Sequence, residues 1–177
     1  MLSVRPFLTI DAAKTVVNSL LSSRLDYCNS LLYGVSDYFI VKLQRMQNWA
    51  ARVVLNLRKT DSATKALYTL HWLPVSQRIK YKIILMVYKC LKGLAPEYLS
   101  SLLHYQEPAR VLRSSQKLFM LKVNRYKLET MGKRAFSCAG PCLWNRLPDN
   151  IRNVELTTNE FKKRLKTFLF QEHFGSE

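Results

Sequence analysis

The sequence predicts a mainly α fold: a compact helical bundle over about residues 10–103, then a small mixed region that ends in a helix. Three observations carry this. Apolar residues recur at spacings of three and four through most of the first 103 positions. Residues that cap or stop helices stand at the ends of those runs. Only five glycines and six prolines occur in 177 residues, and the hydrophobic fraction of 48% is that of a globular chain. Residues 1–103 are therefore expected to form one helical part and residues 104–177 a basic C-terminal extension.

The first helix is expected over residues 10–33, with Val16, Val17, Leu20, Leu21, Leu25, Cys28, Leu31 and Leu32 on one face and Gly34 as its stop. Ser36 caps a second, whose buried stripe is Ile40, Leu43, Met46, Ala50, Val53, Val54 and Leu57. Its other face carries Lys42, Arg45, Arg52 and Arg58. Ser62 opens a short third helix to about Leu70, and Pro74 sits where the first turn of a fourth needs no N–H. Gly93 ends that fourth helix, and Pro96 begins a brief fifth. Trp72, at the junction of the third and fourth, is expected to anchor packing.

From His104 the pattern changes. Residues 104–116 are polar and irregular and look like a linker. A short hairpin or extended pair is expected across residues 118–128, and a helical turn around Trp144 is closed by Pro148. Thr158 or Asn159 caps a last helix, with Phe161, Leu165, Phe168 and Leu169 on its buried side.

Charge is the most informative feature for function. Lys and Arg number 28 against 12 Asp and Glu, a net charge of +16. A surface so positive favours a polyanion, whose binding releases condensed counterions. Residues 110–134 hold eight bases and one acid, Glu129, with Phe119 and Tyr126 interleaved. Bases alternating with aromatics suit phosphates and stacked bases. The expected nucleic-acid contacts are Arg110, Arg113, Lys117, Lys122, Arg125, Lys127, Lys133 and Arg134, helped by Lys162, Lys163, Arg164 and Lys166 on the last helix. No helix pairs Arg, Asn or Gln into an evident base-reading set, so RNA and/or DNA is expected to bind with low sequence preference.

Catalysis has no candidates. Two-metal polymerases and nucleases need converging carboxylates, whereas residues 1–103 offer only Asp11, Asp26, Asp37, Asp61 and Glu97, all widely spaced. Asp26 is expected to cap a helix or to pair with Arg24 or a neighbouring helix. There is no phosphate-binding glycine loop and no nucleophile elbow. Cys28 and Cys90 lie in apolar helical patterns and read as core residues. Cys138 and Cys142 are half of a zinc site with no second pair, so neither a metal nor another cofactor is expected. The longest apolar runs are broken by Lys82 and Lys89, far short of the roughly 20 residues of a span. With no visible leader either, the expectation is an intracellular chain, nuclear or cytoplasmic, not secreted and without a membrane partner.

An ordered series of short motifs adds a family resemblance. It begins at Ser23-Arg24-Leu25-Asp26-Tyr27-Cys28-Asn29-Ser30-Leu31-Leu32 and continues through Leu43-Gln44-Arg45-Met46-Gln47-Asn48 and Leu70-His71-Trp72-Leu73-Pro74. Gly93-Leu94-Ala95-Pro96, Leu112-Arg113-Ser114-Ser115, Gly132-Lys133-Arg134-Ala135-Phe136-Ser137 and Leu143-Trp144-Asn145 extend it. Together these resemble the region downstream of the polymerase core in non-LTR (LINE-class) retrotransposon reverse transcriptases. The resemblance implies thumb-side helices and a C-terminal extension that help hold template and primer. The family's metal-binding aromatic-Ala-Asp-Asp turn and its endonuclease would lie before Met1, and its Cys-His knuckle has no counterpart here. Trp49 and Asn56, where the family tends to smaller residues, mark a diverged copy. Three readings follow: a non-catalytic nucleic-acid-binding remnant of an RNA-directed DNA polymerase, a helical protein-interaction module, or a decayed reading frame without function.

Overall fold

A computed structural model describes residues 5–106, 119–126, 128 and 130–175. The chain is mainly α, as expected. Its contacts divide it into two compact units, Met1–Ile79 with Leu169–Glu177, and Lys80–Phe168. Residue 103, where the sequence pattern changes, falls inside the second unit.

In the first unit, Thr9 caps α1 (Ile10–Val17), its hydroxyl accepting from the Ala12 N–H at 3.3 Å. The single helix expected over residues 10–33 does not form. A π turn (Asn18–Ser22) follows α1, then α2 (Ser23–Asp26), and Cys28 takes a left-handed φ of 49°. Hydroxyls explain the widened ladder: Ser19 donates to the Val16 carbonyl, Ser23 to the Ser19 carbonyl and Ser22 to the Asn18 side chain. The extra residue per turn rotates the stripe, so that Ser22 and Leu25 are buried while Leu20 is exposed. Cys28, expected in the core, is exposed because the chain has already turned; Cys90 is buried.

The long helix α3 (Asp37–Leu55) presents Gln47, Ala50, Ala51, Val53 and Val54 to the interior. Ala50, Ala51 and Val54 pack with Val17 and with Ala66, Leu67, Leu70 and Trp72 in one cluster. The two alanines matter here, since short side chains let other helices approach closely. α3 ends on left-handed Asn56, and buried Arg5 donates to the Val53 and Val54 carbonyls at 2.7 and 2.5 Å. A cation there suits the negative end of the helix, where the Val53 carbonyl also accepts from the Asn56 N–H at 3.3 Å. The stripe differs from expectation at Met46, exposed because buried Gln47 takes the inward position, and at Leu57, which lies past the end of α3 and is exposed.

Gln47 has a structural task. Its amide donates to the Leu73 carbonyl at 2.9 Å, and the Gln44 carbonyl oxygen accepts from the Val75 N–H at 2.9 Å. These bonds fix the turn between α4 (Ala63–Thr69), capped by Ser62, and α5 (Val75–Leu91). Arg78 on α5 donates to both carboxylate oxygens of Asp26 at 2.8 Å. The partner of Asp26 is thus a neighbouring helix.

In the second unit, α5 buries Ile83, Ile84, Val87 and Tyr88 and ends at Gly93, whose φ is 69°. The brief α6 (Glu97–Ser100) follows. Val87 lies against α7 (Phe136–Asn145) at Gly140, where an added Cβ would come within 2.9 Å of it. Tyr88 stacks on Phe161 of α8 (Thr158–Phe174), ring centroids 4.0 Å apart, and Trp144 lies 5.9 Å from the same ring. Phe161 and Leu165 are fully buried. No helix among the described residues is long and apolar enough to cross a membrane.

The hairpin expected within residues 118–128 is not formed among the described residues. Leu121 instead makes an isolated antiparallel bridge with Tyr105.

Candidate nucleic-acid interface

Lys122 and Arg125 are exposed on an extended segment that is held from several sides. On one edge, the Gln106 N–H donates to the Met120 carbonyl and the Lys122 N–H to the His104 carbonyl, both at 2.9 Å. On the other, the Asn145 side-chain oxygen accepts from the Leu121 N–H at 2.9 Å, while its amide donates to the Leu121 carbonyl at 2.7 Å. Asn145 therefore supplies Leu121 with the pair of bonds that a neighbouring strand would give. The Trp144 indole donates to the Phe119 carbonyl at 2.8 Å, and Leu121 itself is fully buried. Since side chains alternate along extended backbone, a buried Leu121 turns Lys122 outward.

Two further contacts shape the following residues. The Cys138 thiol donates to the Asn124 carbonyl at 3.4 Å. Gly132 admits Tyr126, since an added Cβ would stand 2.6 Å from Tyr126 Cβ. Arg152 steadies the far side of this scaffold. It is buried, donates to the carbonyls of Asn145 and Leu147 at the end of α7, and pairs with Asp149.

These constraints outline two clefts. One, of about 930 Å³, is lined by Lys122, Asn124, Arg125, Tyr126 and Ser137 among others. The other, of about 750 Å³, is lined by His104, Tyr105, Gln106, Lys122 and Asn145 among others. Lys122 and Val123 line both. Burial pushes the Tyr105 phenol above its ordinary pKa.

Of the residues the sequence singled out, Lys122 and Arg125 are brought together with Tyr126. Lys133 is exposed and Arg134 half-buried in the short turn Gly132–Arg134, outside the lining of either cleft. Lys162, Lys163, Arg164 and Lys166 lie on α8, where Lys163, Arg164 and Lys166 are exposed, and they line neither cleft. Arg164 is engaged, donating to Glu160 at 2.5 Å and to the Asn150 carbonyl at 3.2 Å. Arg110, Arg113, Lys117 and Lys127 lie outside the described residues. Sequence reasoning missed Tyr105 and Asn145, which fell in a presumed linker and beside a packing tryptophan.

Other bases are committed to the fold as well. Arg5, Arg78 and Arg152 hold carbonyls or carboxylates, and Arg52 donates to the Asp61 carbonyl at 2.9 Å. On the outer face of α3, Lys42 lies 4.2 Å from the centre of the Tyr38 ring, and Arg45 and Trp49 are exposed. Trp72 and Trp144 are buried and offer no free face for stacking. No cluster of three or more His, Cys, Asp or Glu residues able to hold a metal occurs among the described residues. No family model, curated protein or solved structure matches the chain.

Proposed function

We propose that the chain is a non-catalytic nucleic-acid-binding piece of a non-LTR retrotransposon reverse transcriptase, acting in the nucleus or cytoplasm. It binds RNA and DNA with little sequence preference. The observation that carries this reading is the pairing of exposed Lys122 and Arg125 with Tyr126 along one preorganised cleft. Fixed backbone costs no ordering entropy on binding, so the charge contacts made there are retained as affinity. The motif series quoted above supports the family, and among the described residues no cluster of three or more His, Cys, Asp or Glu able to hold a metal occurs, which favours a binding role.

The test is the triple replacement of Lys122, Arg125 and Lys127 by Ala. It should lower affinity for all RNA and DNA sequences alike and flatten the dependence of log affinity on log salt by about 2 units. Fluorescence anisotropy at several salt concentrations reads both quantities. Binding untouched by the change would favour the second reading, a protein-interaction module. That reading rests on the exposed Tyr38, Phe39, Val41, Met46 and Trp49 of α3, an apolar set of the kind that marks docking surfaces.

A further inference from the structure

We infer that the two clefts together accept a single strand rather than a duplex, its backbone running past Lys122 and a base stacked on Tyr126. This rests on the nucleic-acid reading above and specifies its ligand.

Lys122 and Val123 belong to both clefts, so a ligand that fills both must pass this stretch of chain. Each cleft holds a tyrosine with an open surface: Tyr126 is 38% exposed and Tyr105 is 50% exposed. A tyrosine in each cleft, with Lys122 lining both, supplies the two elements that bind unpaired strands, aromatic platforms and positive charge. A duplex keeps its base faces inside the stack and offers only phosphates, sugars and groove edges, so neither ring would find a partner. The clefts, at about 930 and 750 Å³, are of a size that takes compact ligands of several rings.

Sequence preference should be weak for a reason visible in the lining. Asn145 is withdrawn from base reading, since both ends of its side-chain amide are already bonded to Leu121. Stacking then dominates, and every base has a face to stack.

The experiment uses the full chain with labelled oligonucleotides of about 12 residues, a length within ordinary single-strand site sizes. Single-stranded RNA and DNA of one mixed sequence are compared with the corresponding duplex at equal salt. Single strands should bind roughly tenfold more tightly than duplex. Tyr126→Ala should remove about tenfold of single-strand affinity and so narrow the preference for single strands over duplex, and Tyr126→Phe should restore that preference. Ala keeps the Cβ that packs at Gly132, and an unchanged melting curve checks this. Equal or tighter duplex binding, or an unaltered Tyr126→Ala, overturns the inference. Equal binding of both forms with a steep salt dependence would leave the broader function standing; no binding of either form at low salt removes both.

Discussion

Trp144→Ala should destabilise the second unit by about 3–5 kcal/mol, the usual cost of emptying a buried aromatic site. The indole is fully buried, packs near Phe161, and donates to the Phe119 carbonyl at 2.8 Å. Removing it opens a cavity beside the Tyr88–Phe161 stack and leaves that carbonyl without its donor. Because whole domains are stable by only about 5–15 kcal/mol, the loss should be plain in a urea titration. It should also weaken nucleic-acid binding, since the indole holds Phe119, three residues before Lys122. A variant that kept its urea midpoint and lost only binding would show that the ring acts on the ligand instead.

Asn145→Ala should cost about 2–4 kcal/mol, because one deletion leaves two backbone groups of Leu121 without partners in a buried setting. Asn145→Asp is the sharper probe. It keeps an acceptor for the Leu121 N–H but sets a carboxylate oxygen against the Leu121 carbonyl. Both variants should speed amide exchange at Leu121 and Lys122 well before exchange at the centre of α5 changes. Exchange unchanged at Leu121 would mean that the bridge to Tyr105 alone holds the segment.

Much of the fold was legible because helices carry local signals. Ser62, Gly93 and Pro74 mark the helix ends they were expected to mark, and the stripe of Phe161, Leu165 and Leu169 faces inward on α8. The π turn at Asn18–Ser22 was not legible, since apolar spacing continues through it and only the serine hydroxyls reveal the strain on the ladder. No hairpin is formed among the described residues for a different reason. Residues near Leu121 look extended, but their partners, His104, Gln106 and Asn145, are specified by tertiary packing rather than by neighbours in sequence.

The candidate site shows the same division. Density of charge with an interleaved aromatic was enough to single out Lys122, Arg125 and Tyr126 as candidates, because electrostatic attraction needs only composition and proximity. Tyr105 gains its place from a bridge sixteen residues away in sequence (105 to 121). Conversely, sequence counted Arg5, Arg152 and Arg164 as surface charge, whereas each is bonded to carbonyls or a carboxylate of its own chain. The charge open to a ligand is therefore smaller than +16 suggests.

The salt dependence of binding by the unaltered chain tests the central claim most directly. If roughly four to six bases neutralise phosphates, log affinity should fall linearly with log salt at a slope of about −3 to −5 on mixed-sequence RNA, and similarly on DNA. A salt-independent affinity would contradict the electrostatic account and point to a protein partner, and no binding even at low salt would leave a chain whose charge serves no polyanion.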